Sequence, residues 1–194
     1  MMIGVMALQG GFAKHCETLS KLGTNWCEVR AKEDLKKIDG LIIPGGESTT
    51  MLKLLKDEGM FEPLKEFTSS HPTFGTCAGL ILMAKRVENP SQDSLGLLDI
   101  TAGRNAYGRQ VDSFNQLVNI PIFNTEPFEL IFIRAPQILE TGSNVTVLAR
   151  CQDKPVLIQQ GFWLGATFHP ELTNDTRIHQ LFLSIVNQRR SVAA

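Results

Sequence analysis

Residues 75–79, Gly-Thr-Cys-Ala-Gly, place Cys77 between two glycines and directly after a short segment typical of a strand. A nucleophile framed in this way is typical of a tight turn from a strand into a helix, because glycine permits close approach of the backbone. Such a turn raises the central side chain above the sheet, at a helix N-terminus whose dipole favours a thiolate. The segment predicts a nucleophilic cysteine, and the alternative is a small buried side chain.

A nucleophilic cysteine needs a base, and residues 168–171, Phe-His-Pro-Glu, supply a candidate. Pro170 disfavours the helical conformation for His169 and keeps it extended. Alternate side chains of an extended chain project to one side, so Glu171 can reach the imidazole and orient it. Cys77, His169 and Glu171 therefore form a candidate triad. The alternative is that His169 ends a strand and Glu171 caps the turn that follows.

Acyl chemistry also needs hydrogen-bond donors for an oxyanion, and residues 44–48, Pro-Gly-Gly-Glu-Ser, offer backbone N–H groups. This loop follows the apolar residues 41–43 and precedes a helical pattern from Ser48, which predicts a position at the carboxyl edge of a parallel sheet. A phosphate-binding glycine loop is the alternative. The Walker lysine spacing and the G-x-G-x-x-G pattern are both missing from the sequence, which favours the oxyanion interpretation.

The elements that must hold these groups follow from the periodicity of the apolar residues. Strand patterns alternate with helical patterns through the first half of the chain, which predicts a three-layer α/β fold with a mostly parallel sheet and helices on both faces. The predicted strands are 3–8, 26–29, 41–43 and 73–76, and the predicted helices are 12–22, 61–67 and those opening at 48 and 80.

The second half of the chain carries mostly strand patterns, from residue 95 to about 164. They predict a set of antiparallel or mixed strands appended to the parallel core. The clearest of them are 117–120, 130–133, 145–148, 156–158 and 163–168, and a last amphipathic helix follows at about 175–188. Because no linker-like segment interrupts the pattern, we expect a single domain over residues 1–194.

Composition limits the classes of partner. The chain has 194 residues, 43% hydrophobic and 20% charged, which is typical of a globular domain with a substantial core. Its net charge of −1 provides no overall field for nucleic acid or an anionic membrane, and no apolar stretch approaches the ~18 residues of a membrane helix. The cysteines are widely spaced without a C-x-x-C pair, which predicts reduced thiols in a cytoplasmic protein with no metal site and no cofactor. They are Cys16, Cys27, Cys77 and Cys151.

Taken together, residues 75–79, 44–50 and 168–172 resemble the class I, or triad, glutamine amidotransferases. Three further segments resemble the glutaminase subunits of pyridoxal 5′-phosphate synthase. They are 8–10 (Leu-Gln-Gly), 104–114 (Arg-Asn-Ala-Tyr-Gly-Arg-Gln-Val-Asp-Ser-Phe) and 132–136 (Phe-Ile-Arg-Ala-Pro). The resemblance runs from the first strand to the last helix, departs slightly at Gly11 and Phe12, and implies a flavodoxin-like fold of the class I glutaminase type.

The resemblance implies hydrolysis of L-glutamine to L-glutamate and ammonia, with the ammonia passed to a separate synthase subunit that makes pyridoxal 5′-phosphate. It also implies that Cys77 attacks the carboxamide, that His169 moves protons and that Glu171 orients His169. Backbone N–H groups of Gly46 and Ala78 would hold the oxyanion. The residues that would line the glutamine site are Gly46, Glu47, Ser48, Arg104, Ile133 and Arg134.

The two arginines suit this substrate class, because a planar guanidinium binds both oxygens of a carboxylate at once. Arg104 and Arg134 are therefore candidates for the carboxylate of glutamine, and ordinary surface arginines are the alternative. Two other functions stay open. A cysteine hydrolase or protease of related fold would release no ammonia from free glutamine, and a non-catalytic partner module would have no need of an intact cysteine, histidine and glutamate.

Overall fold

A computed structural model describes residues 1–104, 113–123 and 126–193, which contain twelve strands and five α-helices. The strands are β1 (Met2–Met6), β2 (Asn25–Val29), β3 (Gly40–Ile43), β4 (Thr73–Thr76), β5 (Ala84–Glu88), β6 (Leu98–Gly103), β7 (Ser113–Val118), β8 (Phe128–Ile133), β9 (Gln137–Thr141), β10 (Thr146–Cys151), β11 (Lys154–Gln160) and β12 (Trp163–Ala166). The helices are α1 (Phe12–Lys21), α2 (Ser48–Asp57), α3 (Phe61–Ser70), α4 (Ala78–Met83) and α5 (Arg177–Ala193).

The centre of the fold is a seven-stranded sheet in the order β10-β11-β12-β4-β3-β1-β2. Strands β12, β4, β3, β1 and β2 run parallel to one another, with Ile42 opposite Phe74 on one side and Val5 on the other. The strands β1 and β3 are wholly apolar and every residue of β4 is buried, which suits strands covered on both faces. The predicted mainly parallel sheet is confirmed.

Two apolar cores cover the two faces of this sheet. One core packs Leu41 and Ile43 against side chains of α2, α3 and α4. The other packs Ile3 and Ile42 against α1 and α5, with Phe182 among its fully buried members. This arrangement gives the three layers that the alternating pattern predicts.

The second half of the chain adds the predicted antiparallel strands to the parallel core. Strand β12 pairs with β4, and β11 and β10 follow it as antiparallel strands of the same central sheet. The smaller sheet β7-β8 overlaps the predicted strands 117–120 and 130–133, whereas the sheet β5-β6-β9 has no counterpart among the predicted strands. The helix expected from residue 80 begins at Ala78 and ends at Met83, where β5 takes over.

The topology brings four chain segments to one edge of the central sheet. Parallel strands share the direction of their carboxyl ends, so the residues that follow β1, β3, β4 and β12 lie together. These are residues 7–11, 44–47, Cys77 and residues 167–171. None of the helices in the described ranges has the length and apolar character required to cross a membrane.

Candidate active site

Cys77 occupies the sharp turn between β4 and α4. Its backbone has φ 48° and ψ −105°, in the left-handed range that L residues rarely adopt, and this costs on the order of 1–3 kcal/mol. Its N–H donates to the carbonyl of Ala166 at 2.9 Å, which ties the turn to β12. The flanking glycines are needed for space: a Cβ on Gly79 would lie 2.0 Å from the Ile43 carbonyl oxygen, and one on Gly75 would lie 2.6 Å from Met83 Sδ.

His169 and Glu171 face this turn from the end of β12. The His169 Nδ1 lies 2.8 Å from Glu171 Oε1, and the backbone N–H of His169 donates to the Ile131 carbonyl at 2.9 Å. Cys77 lies beside the same imidazole, because a Cβ on Gly45 would be 2.3 Å from His169 Cε1 and 3.2 Å from Cys77 Cβ. The Cys77 thiol itself donates to the Ile133 carbonyl at 3.9 Å. The predicted triad residues therefore lie side by side, in the order Cys77, His169, Glu171.

Electrostatics within this group favour a charged imidazole beside a carboxylate. Burial by itself would lower the pKa of His169, but interactions with Cys77 and Glu171 outweigh it and raise the pKa to about 10. Burial of Glu171 would raise its pKa, yet interactions with His15 and His169 hold it below the usual range. The Glu171 side chain is 1% exposed, so these interactions are little screened by solvent.

The glycine loop at residues 44–47 packs against the same imidazole. A Cβ on Gly45 would lie 2.3 Å from His169 Cε1, so only glycine fits there. The Gly45 carbonyl accepts the Gly11 N–H at 3.0 Å, and the Glu47 N–H donates to Gln9 Oε1 at 3.1 Å. In a trans peptide N–H and C=O point in opposite directions, so the Gly46 N–H points away from Gly11.

Glu47 and Arg104 meet at the N-terminus of α2. The Glu47 carboxylate accepts the N–H groups of Thr49 at 3.1 Å and Thr50 at 2.7 Å, which caps the helix. Partial burial opposes ionisation, but hydrogen bonds from Thr50 and Thr49 prevail and lower the pKa of Glu47 to about 2. The Arg104 guanidinium donates to Thr49 Oγ1 at 2.7 Å and lies 3.4 Å from Glu47 Oε1.

A cavity of about 390 Å³ joins these groups. Of the predicted site residues, Ala78 alone is absent from its lining; as the first residue of α4, it carries an N–H without an acceptor inside the helix. Residues 105–112 of the segment 104–114 lie outside the described residues. The predicted residues on the cavity wall are Gly46, Glu47, Ser48, Cys77, Arg104, Ile133, Arg134, His169 and Glu171.

Two buried histidines lie behind the triad, and sequence analysis did not single them out. His15 on α1 and His179 on α5 are both fully buried, with His15 Nδ1 2.9 Å from His179 Nε2. His15 Nε2 lies 3.5 Å from Glu171 Oε2. A signal was available, because each histidine falls on the apolar stripe of its helix: His15 lies three residues after Phe12, and His179 three before Phe182.

Gln9 is a further cavity residue that the site prediction left out. It belongs to segment 8–10, and its side chain touches the glycine loop closely enough that a Cβ on Gly46 would lie 2.3 Å from Gln9 Oε1. In the part of the chain that the structure describes, no group of three or more histidine, cysteine, aspartate and glutamate side chains is placed to bind a metal ion.

Comparison with known proteins gives concordant results. Residues 5–188 match the model of the SNO glutamine amidotransferase family. The chain is 54% identical over 187 residues to the pyridoxal 5′-phosphate synthase subunit PdxT of Thermotoga sp. strain RQ2, covering 96% of this chain and 100% of that protein. It is 52% identical over 191 residues to PdxT of Koribacter versatilis, covering 98% of each.

Solved structures agree with the fold. A glutamine amidotransferase crystal structure superimposes with a TM-score of 0.89 at 45% identity, covering 95% of this chain and 98% of that one. A glutamine amidotransferase from Thermotoga maritima superimposes with a TM-score of 0.59 at 13% identity, covering 97% and 84%, a likeness of fold alone. The flavodoxin-like class I glutaminase fold is thereby confirmed. Since the family match and the relatives extend over nearly the whole sequence, this chain belongs to the SNO glutamine amidotransferase family.

Proposed function

We propose that this chain is the glutaminase subunit of a pyridoxal 5′-phosphate synthase. It hydrolyses L-glutamine to L-glutamate and ammonia and passes the ammonia to a partner synthase subunit for vitamin B6 synthesis, as the names of its relatives indicate. The observation that carries the proposal is the 2.8 Å contact between His169 Nδ1 and Glu171 Oε1, with Cys77 lying beside the same ring. A carboxylate, an imidazole and a thiol in that order are the parts of a nucleophilic triad.

The chemistry proceeds in two halves. With Nδ1 engaged by Glu171, the Nε2 of His169 holds the proton that the Cys77 thiol has given up, in keeping with a charged imidazole beside a carboxylate. The thiolate attacks the carboxamide carbon, and the C–N bond breaks as His169 returns the proton to the leaving ammonia. A thioester between Cys77 and the glutamyl group remains. Water then attacks the thioester with His169 as base, which releases glutamate and restores the thiol.

The binding roles belong to the same proposal. Backbone N–H groups of Gly46 and Ala78 stabilise the oxyanion of each tetrahedral intermediate. Glutamine carries a carboxylate and an ammonium at its backbone end, so Arg104 and Arg134 suit the first and the ionised Glu47 suits the second. Support comes from their common position on the cavity wall, which these three side chains share with Ser48 and Ile133.

We further propose that residues 1–194 form one domain, that it acts in the cytoplasm, and that it forms a hetero-oligomer with the synthase subunit. The first point is supported by the single central sheet, whose two cores recruit elements from both halves of the chain. The second is supported by the wide spacing of the cysteines, which is typical of proteins from a reducing compartment.

Ammonia release from L-glutamine, measured with and without the synthase subunit, tests the activity. A glutamine analogue carrying an electrophile should label Cys77, and Cys77→Ala should abolish both labelling and turnover while circular dichroism and melting temperature stay close to the wild type. Cys27→Ala is the matched control, because Cys27 lies on β2 and does not border the cavity. Labelling at Cys16, Cys27 or Cys151 would contradict the assignment of the nucleophile.

A further inference from the structure

The carboxylate of Glu171 has a second neighbour besides His169. Its Oε2 is buried and, within the described residues, has no hydrogen bond of normal geometry. The nitrogen that faces it is His15 Nε2 at 3.5 Å, and this nitrogen also lies 3.3 Å from Thr76 Oγ1. An N–H on that nitrogen would be within hydrogen-bond range of Thr76 Oγ1 and would present its positive end to Glu171 Oε2, just beyond a normal hydrogen bond.

The carboxylate of Glu171 selects which nitrogens of His15 and His179 carry protons. An ionised carboxylate can only accept, so the His15 Nε2 must be the protonated nitrogen if it is to face Glu171 favourably. In a neutral imidazole His15 Nδ1 is then an acceptor, and His179 Nε2, 2.9 Å away, must donate to it. His179 Nδ1 is left unprotonated, which agrees with its having no hydrogen-bond partner among the described residues.

Both histidines are neutral near pH 7. Burial lowers the pKa of His15, although Glu171 acts in the opposite direction. Burial and the neighbouring His15 lower the pKa of His179 to about 3. His15 therefore acts on Glu171 as a neutral N–H dipole and not as a second positive charge, so the charge of the carboxylate stays available to His169.

We propose that His15, held in its tautomer by His179, is a positioning residue for Glu171. It fixes the rotation of the carboxylate so that Oε1 faces His169 while Oε2 faces the interior. The triad is thereby extended from the thiol of Cys77 through three elements, the turn after β12, α1 and α5. This inference rests on the proposed glutaminase function, because it assigns His15 a part in orienting the base of that reaction.

The physical effect is on geometry. A carboxylate with one oxygen engaged and the other unpaired in an apolar setting is stabilised by rotating toward any available donor, because an unpaired buried acceptor has lost its hydration without a replacement. Rotation away from His169 would lengthen the 2.8 Å contact that orients the imidazole. A misplacement of about 1 Å in a catalytic group lowers turnover by about 100-fold.

Two variants of nearly equal shape test this role. His15→Gln keeps an N–H donor at about the reach of Nε2, whereas His15→Met fills a similar volume without a donor, and both residues favour a helix. Glutaminase activity of the complex with the synthase subunit should fall by about 10- to 100-fold in kcat for His15→Met, with KM within about twofold. His15→Gln should keep kcat within about threefold of the wild type.

Which of the two variants has the higher kcat distinguishes a positioning role of His15 from a packing role. If His15 only fills space in an apolar core, methionine is the better replacement and glutamine, a buried amide, is the worse one. Equal or higher kcat for His15→Met than for His15→Gln would therefore overturn the proposal. Melting temperatures of both variants show how much of any loss comes from unfolding.

A measurement on the wild type needs neither variant nor activity. Nitrogen-15 chemical shifts of the histidine rings report the tautomer, and we expect protonated Nε2 and unprotonated Nδ1 for both His15 and His179. A protonated Nδ1 on His15 would overturn the proposal even if the variants fail to fold. Absence of glutaminase activity in the wild-type complex would instead refute the proposed function, and the ring shifts would still decide the hydrogen-bond order.

Discussion

Replacing Gly45 by alanine would add a methyl group against the face of the His169 ring. The new Cβ would lie 2.3 Å from His169 Cε1, 2.9 Å from His169 Nδ1 and 3.2 Å from Cys77 Cβ. Favourable carbon–carbon contacts lie at about 3.5–4.0 Å, so the ring or the loop must move by about 1.2 Å. Cys77 Cβ and the imidazole both border the new methyl group, so a shift of the ring away from it disturbs the contact of His169 with Glu171.

The expected magnitude follows from that displacement. The His169–Glu171 contact is 2.8 Å, and an added 1 Å would take it beyond the range of a useful hydrogen bond. We expect kcat/KM for glutamine to fall by about 100-fold, because a misplacement of that size in a catalytic group has that effect. Overpacking should lower the free energy of unfolding by about 1–3 kcal/mol.

The assay is ammonia release from glutamine in the presence of the synthase subunit, together with urea unfolding. Gly59→Ala is the matched control: Gly59 follows α2 with φ +63° and nothing within 4 Å of its Cβ position. That substitution should cost about 1 kcal/mol in backbone strain and leave turnover unchanged. Wild-type kcat/KM in Gly45→Ala, with its melting temperature unchanged, would refute the view that this loop holds His169 in place.

Three further predictions concern the triad and its stimulation by the partner subunit. His169→Asn should lower the rate of ammonia release as much as loss of Cys77 does, because the members of a triad act as a unit. Glu171→Gln should lower it less, and equal losses for all three variants would contradict these roles. Because the pKa of His169 is raised from 6.5 to about 10, the free energy of unfolding of the wild type should fall as pH rises through this interval, and that of Glu171→Gln should fall less. Urea unfolding at a series of pH values measures both, and an equal fall in the two proteins would contradict this. The isolated chain should hydrolyse glutamine weakly, and the synthase subunit should stimulate it. Substitution of Gln9 should reduce that stimulation, and equal rates of ammonia release with and without the partner would contradict the prediction.

The parallel core could be predicted because each of its elements carries a clear pattern of its own. Strands β1 and β3 are short apolar runs, and α1 has apolar residues at helical spacing. Strands β5, β6 and β9 were not predicted. They form a small sheet with solvent on part of its surface. In β5 two exposed residues, Lys85 and Arg86, separate buried Ala84 from buried Val87, which departs from the two-residue period of a strand. The membership of β10–β12 in the central sheet depends on pairing between distant segments, which local patterns do not report.

The triad could be predicted for a different reason. Gly75 and Gly79 are required because a Cβ at either position would lie 2.6 Å or 2.0 Å from another atom, and Pro170 restricts the backbone of His169. These constraints come from residues close in sequence to Cys77 and His169, so they can be read locally. His15 is constrained by elements far away in the sequence. Its burial depends on the face that α1 presents to α5 and to the turn carrying Glu171, and an amphipathic helix alone leaves that unspecified.

The resting geometry of the glycine loop gives partner control a physical basis. Gly11 borders the cavity and holds the Gly45 carbonyl at 3.0 Å, so presenting the Gly46 N–H to an oxyanion there requires this peptide to turn. Breaking one such hydrogen bond costs about 0.5–1.5 kcal/mol net, which keeps the turned state at roughly a tenth to a third of the population. Glycine at both positions removes the steric barrier to the turn. A partner that binds residues 8–10 and offers the Gly11 N–H another acceptor would shift this equilibrium toward the turned peptide. Cys77 and His169 would stay side by side. We therefore expect docking to raise kcat for glutamine while the rate at which an alkylating reagent modifies Cys77 changes less.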